Sequence, residues 1–255
     1  MNFLVEKENQ HIKKEEEISF QAGELVGELY DAFSKEYKNI EDKQTQKDLN
    51  ELCVRIVFCL YAEDAGLFGK RSAFHDYLSR HENLSDMRKA LKDLFKILDT
   101  PYDKRDVYED ELNVFPYVNG GLFSNENIEI PKFTERIRKT LLSDASDNFN
   151  WSDISPTIFG AVFESTLNPE TRRSGGMHYT SIENIHKVID PLFLDALRLE
   201  LNEINLIKQP AAQKRKALIF QEKLASLTFL DPACGSGNFL TETYISLRNL
   251  ENEAI

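Results

Sequence analysis

Long apolar runs are missing from this chain of 255 residues. None approaches the ~20 consecutive residues that a bilayer-spanning helix needs. The opening text, MNFLVEKENQHIKKEEE, turns charged too soon to hold the apolar core of a secretory signal. A cytoplasmic protein is the expectation. Cysteine is scarce: Cys53, Cys59 and Cys234 form no CxxC pair and no Cys/His cluster, so no zinc site is expected. Cys53 and Cys59 lie in apolar helical text, where a free thiol behaves as a small hydrophobe. Basic charge is outnumbered, with 31 Lys and Arg against 43 Asp and Glu, a formal net charge of -12. Nucleic-acid binding draws on basic surface, because neutralised phosphates release counterions. The chain alone is therefore a poor grip for DNA, although a DNA enzyme with its basic surface elsewhere is still allowed. Internal repeats and low-complexity tracts are absent too. What remains, 41% hydrophobic and 29% charged, is the make-up of a globular protein with room for one large domain or two modest ones.

The first ~100 residues carry the 3.6-residue period of amphipathic helices. Leu25, Leu29, Ala32 and Phe33 mark one helix between Glu15 and Tyr37. Leu49, Cys53, Ile56, Val57, Leu60 and Tyr61 mark a second between Lys43 and Ala65. Gly66 is placed to end the second helix in a left-handed conformation, with Leu67 folding back on the last turn. Shorter helices are expected over 72–80 and 85–98, the latter closed by Pro101. The stretch from Pro101 to Pro131, with FPYVNGGLF at 115–123, predicts an ordered loop or short hairpin pinned by aromatic residues. Helical text resumes at 134–142 and 155–167. After the polar, glycine-rich turn of 168–176, a long helix is expected from Ser181 or Ile182 to about Leu206, and another from Pro210 to about Ala225. Only then does a strand pattern appear, Leu227-Thr228-Phe229-Leu230.

That strand runs straight into Asp231-Pro232-Ala233-Cys234-Gly235-Ser236-Gly237-Asn238-Phe239-Leu240 and a closing helix. Glycines let a backbone approach a ligand and adopt dihedrals closed to other residues. The helix start near Asn238 offers unpaired N–H groups and the positive end of a dipole. Strand, glycine turn and helix thus form a receptacle for a charged small molecule at the carboxyl end of a strand. A lone strand cannot satisfy its own backbone, and such a unit needs parallel partners that this chain does not supply.

The string DPACGSGNFL resembles the first S-adenosylmethionine (SAM) motif of N6-adenine DNA methyltransferases. Some fifty residues upstream, Gly175-Gly176-Met177-His178-Tyr179-Thr180-Ser181 resembles the G-x-x-YT-[PS] motif of the same enzymes, in the order of their gamma group. Thr180 or Ser181 is placed to cap the next helix, with Glu183 near the capping-box position. The text VRIVFCLYAEDAGLF at 54–68, then FPYVNGGLF, the stretch from Ile158 to Thr180, and SGNFLTETYISLRNLENEA extend the likeness from about Glu17 onward. Together they are similar to the MmeI-like (Type IIG) DNA methyltransferases, large single chains of restriction–modification or phage-defence systems.

This resemblance implies a mainly α structure. Residues 1–167 would form a helical spacer domain, and 168–255 the truncated beginning of a Rossmann-like α/β SAM-dependent methyltransferase domain. It implies SAM as cofactor, double-stranded DNA as the partner of the parent protein, and a cofactor pocket drawn from His178, Tyr179, Thr180, Asp231, Pro232, Ala233, Cys234, Gly235, Gly237 and Phe239. The family's Asn-Pro-Pro-Tyr/Phe motif does not follow the glycine turn, so no catalytic residue is assigned and the chain by itself is expected to be inactive. Asp99-Thr100-Pro101-Tyr102 lacks the doubled proline and reads as a helix stop. Glu15-Glu16-Glu17 reads as a solvated helix start rather than a metal site. Glu63 and Asp64, adjacent on a helix, point about 100° apart and read as structural. Trp151 reads as core. Arg172 and Arg173 fit a contact with a phosphate or the cofactor carboxylate and plain surface charge equally. Two other classes remain possible: a purely structural helical module, and a nucleotide-dependent oxidoreductase, which would need an acid roughly 20 residues beyond the turn.

Overall fold

The structure, a computed structural model, describes residues 2–118, 120–154, 160, 180, 182–235 and 237–254, with side chains from residue 17 onward except residue 19. Helix dominates, and no β-strand occurs among the described residues. The described chain divides into two compact units, residues 2–154 and 180–254. Positions 155–159 and 161–179 lie outside the described residues. The expected helix over 155–167, the boundary at 167/168, and the assignments to Arg172, Arg173, His178 and Tyr179 all fall there.

The first unit is built on α1 (Asn2–Ser34), α2 (Lys43–Asp64), α3 (Ala73–Ser79) and α4 (Leu84–Asp99), with α5 (Glu135–Arg138) running on as widened π-helical turns over Lys139–Asp147. Glu17 therefore lies inside α1, not at a helix start. The core stripe of α1 is Ala22, Val26, Leu29 and Phe33, while Leu25 is only half-buried. In α2 the expected stripe is buried apart from the half-buried Tyr61, and Leu52, Cys59 and Ala62 are buried too. A helix buried on most of its surface is a central one. Asp42 caps its start by accepting from the backbone N–H groups of Gln44 and Thr45. Gly66 ends it with φ of 74°. The Leu67 N–H reaches Ala62 O at 2.8 Å and the Gly66 N–H reaches Glu63 O at 3.2 Å, the paired bonds of a Schellman ending. Leu67 itself is 56% exposed, so the residue that folds back into the core is Phe68 rather than Leu67.

Residues 101–131 form an ordered loop, with no hairpin among the described residues. Aromatic rings pin it: Phe115 meets Phe68 and Tyr77 edge-on, and Phe123 meets Phe58 and Phe95. A loop without a ladder still has carbonyls to satisfy. Three arginines do so. Arg55 donates to Leu122 O and Asn125 O, Arg88 to Ile130 O and Pro131 O, and Arg105 to Phe115 O. Asp99 is the last residue of α4, so Asp99-Thr100-Pro101-Tyr102 is a helix stop. Trp151 is fully buried and donates from Nε1 to Ala145 O at 2.7 Å.

The second unit holds α6 (Ile182–Ile189), π-helical turns over Asp190–Leu194, α7 (Asp195–Asn205), α8 (Pro210–Ser226) and α9 (Asn238–Glu253). The single long helix expected over 182–206 is thus widened in its middle. Pro191 is the physical reason: it lacks an N–H, and its ring would strike the carbonyl four residues back, which a wider turn avoids. Ile185, Ile189, Leu194, Leu197, Leu201, Phe220, Leu224 and Leu250 form the core of this unit. The expected strand Leu227–Leu230 has no ladder partner among the described residues, and Leu230 is 89% exposed. Strand patterning states only that a segment can pair; pairing needs a neighbour.

Candidate functional site

The glycine turn lies between the core-anchored ends of α8 and α9. Phe229 meets Phe193 at a tilt of 52° with ring centroids 4.8 Å apart, and Phe239 packs against the core of the second unit. Between these anchors, Asp231 turns inward on its own backbone, its Oδ1 accepting from the Ala233 N–H at 3.0 Å. This side-chain mimic of a backbone turn starts the bend. Gly235 and Gly237 then take positive φ values of 52° and 82°. The Gly237 N–H bonds to Cys234 O at 2.7 Å, and Gly237 O receives the Thr241 N–H at 2.9 Å as α9 begins.

Gly237 is the N-cap of α9, and with no side chain it provides no cap bond. The positive end of the helix dipole therefore points out of the turn without a side-chain acceptor from its cap. A Cβ placed on Gly237 would meet nothing within 4 Å, so the space before the helix end is open. Pro232, Ala233, Cys234 and Gly235 are exposed along the same bend, with the Cys234 thiol free. An apolar groove lined by Leu224, Leu227, Phe229, Leu240, Tyr244 and Leu247 runs beside it. Main-chain donors, open space and a dipole end suit the anionic part of a small molecule. Of the upstream motif only Thr180 is described, and it is exposed. Glu183 pairs with Lys187 at 2.8 Å.

A polar cluster in this unit carried no mark in the sequence beyond the helical spacing of His186 and Asp190. The His186 Nδ1 lies 2.7 Å from Asp190 Oδ1, and its Nε2 lies 3.0 Å from Glu242 Oε1 on α9. Arg198 of α7 adds its charge to Asp190 at 3.4 Å. Partial burial pulls the imidazole pKa down, but the hydrogen bonds to Asp190 and Glu242 outweigh it, and the net shift is upward. The same hydrogen bond from His186, with help from Arg198, holds the Asp190 carboxyl below its ordinary range.

Glu63 and Asp64 diverge, as expected of helix neighbours. Glu63 is buried and accepts from the His75 N–H and the Ser146 hydroxyl, which gives α3 the N-terminal partner that Ser72 does not provide. Asp64 accepts from the Trp151 N–H at 2.8 Å. Burial raises both carboxyl pKa values, the hydrogen bonds opposing it. Each carboxylate ties α2 to a different segment, and the pair is no acid–base couple.

Comparison with known proteins matches two separate stretches of the chain. Residues 47–123 match the family model "MmeI, helicase spacer domain", and residues 207–255 match "MmeI, DNA-methyltransferase domain". The chain is 38% identical over 246 residues to DNA methyltransferase A of Bacillus subtilis, covering 96% of this chain and 26% of that protein. It is 28% identical over 233 residues to a protein of Methanocaldococcus jannaschii described as a type II restriction enzyme and methyltransferase, covering 73% of this chain and 19% of the other. Among solved structures, the Type IIL restriction–modification enzyme MmeI in complex with DNA superimposes with a TM-score of 0.72 at 38% identity, over 92% of this chain and 30% of that one. The chain spans about a quarter of the length of the first of these relatives. With its spacer and its glycine turn each matched in sequence, and its helices matched in space, the chain belongs to the MmeI-like DNA methyltransferases.

Proposed function

We propose that the protein carrying this chain transfers the methyl group of SAM to the exocyclic N6 of adenine in double-stranded DNA, in the cytoplasm, as part of a restriction–modification or phage-defence system. The observation that carries this reading is the bend at 231–237, with two left-handed glycines before a helix end that its own cap leaves bare. Its main-chain groups from Ala233 to Gly237 would receive the methionyl end of the cofactor, and Phe239 would help wall the pocket. The family resemblance adds His178, Tyr179 and Thr180. When bound, SAM supplies an electrophilic methyl on a sulfonium.

The turn's part is to hold that methyl in place, since position and orientation provide much of the rate in such a transfer. Reaching N6 requires the base to leave the duplex, and the Asn-Pro-Pro-Tyr/Phe motif that would grip it in this family does not occur in these 255 residues. The chain alone is thus proposed to be inactive, and the apolar groove beside the turn to receive the strands that pair with Leu227–Leu230. The test is product identity. Full-length protein is incubated with DNA and SAM bearing a deuterated methyl, and the hydrolysed nucleosides are weighed by mass spectrometry. Labelled N6-methyladenine is expected; labelled C5-methylcytosine, or no labelled nucleoside at all, would overturn the proposal.

A further inference from the structure

The second turn of α6 and the second turn of α9 meet at one side chain. His186 is the fifth residue of α6 and Glu242 the fifth residue of α9. The two helices start directly after the two segments assigned to the cofactor, 178–180 and 231–237. We propose that His186 is a positioning residue, bonding Asp190 through Nδ1 and Glu242 through Nε2 so that the starts of α6 and α9 are fixed against each other. This rests on the cofactor reading above and deepens it, since a pocket assembled from two helix starts is only as well formed as their spacing.

The bond pattern dictates a proton dependence. An imidazolium has two N–H donors and satisfies both carboxylates; a neutral imidazole has one, so Asp190 or Glu242 loses its donor. The charges around it are Asp190 on the π-helical turns, Glu242 on α9, and Arg198 on α7, which also pairs with Asp195. On α6 itself, Lys187 and Glu183 pair with each other. His186 is 27% exposed on its side chain, so protons exchange with solvent. A histidine whose folded pKa is raised contributes its full effect below the ordinary value of about 6.5 and loses it as pH rises through the raised one.

Glu242→Gln separates geometry from charge. The glutamine amide accepts from an imidazolium and donates to a neutral ring, so the tie survives in both protonation states.

Calorimetric titration of full-length protein with SAM, from pH 6 to pH 9, tests the proposal. Against Glu242→Gln as reference, which cancels the ligand's own titration, wild-type affinity should fall about tenfold across the imidazole's titration, the worth of one charge-assisted bond. His186→Ala should bind about tenfold more weakly at pH 6, with no such fall. Wild-type and Glu242→Gln profiles that run parallel would overturn the proposal, even if His186→Ala failed to fold. Wild-type affinity in a folded His186→Ala would overturn it too. If the unmodified protein bound no SAM at any pH, the cofactor reading itself would fall, and this proposal with it.

Discussion

Gly237→Val in the full-length protein should weaken SAM binding by roughly a hundredfold and abolish methylation at ordinary cofactor levels. Two physical effects combine. The φ of 82° at this position is left-handed, where a β-branched residue costs on the order of 1–3 kcal/mol. A free turn escapes that cost by shifting its backbone, and the cofactor would have to drive it back, at roughly tenfold in affinity per 1.4 kcal/mol. The added side chain also projects into the space before the helix end, where nothing now lies within 4 Å of a Cβ. Gly237→Ala keeps most of that space and should lose less. Because the position is open, the fold should survive both changes, which circular dichroism would verify. Unchanged affinity in a folded Gly237→Val would place the cofactor somewhere other than this bend.

The largest stability effect is expected in the first unit, at Arg55. Its guanidinium is 1% exposed and donates to Leu122 O at 2.9 Å, to Asn125 O at 3.0 Å and to the Glu51 carboxylate. It also lies over the rings of Phe95 and Phe123. Truncation to alanine removes the donors and leaves two loop carbonyls and a carboxylate facing a gap. Breaking one side of a buried charged network costs about 3–5 kcal/mol. Arg55→Lys keeps the charge but not the forked donors or the stacking, and should recover only part of that. Trp151, the one tryptophan, is fully buried in this unit, so its fluorescence during urea unfolding reports the loss directly. A cost below about 1 kcal/mol for Arg55→Ala would mean that the loop at 115–131 is held by its aromatic residues alone.

Arg55 also shows where reading a sequence reaches its limit. Periodicity located α2 and α4 to within a residue or two, because their core-facing side chains recur at helical spacing, and Pro210 marked the start of α8. The stripe expected in α2, from Leu49 to Tyr61, left out Arg55, which is buried beside it. A buried charge must be paired, and its partners, the carbonyls of Leu122 and Asn125, lie some seventy residues away, beyond the reach of a local pattern. The widening at Pro191 was missed, because the apolar period of 182–206 runs unbroken through the proline.

The glycine turn was legible for a different reason. Left-handed backbone restricts residue choice strongly enough to leave its mark on the text, whereas the strand before it depends on neighbours that a local pattern does not contain. His186 escaped notice because only the spacing to Asp190 is local. Glu242, the partner that joins it to α9, lies 56 residues on.

The most direct test of the central claim is a side-by-side titration of the full-length protein with SAM and with NAD. The bend at 231–237 should give saturable one-to-one binding of SAM, lost in Gly237→Val, and no binding of NAD. Saturable NAD binding, or SAM binding that ignores Gly237, would contradict it.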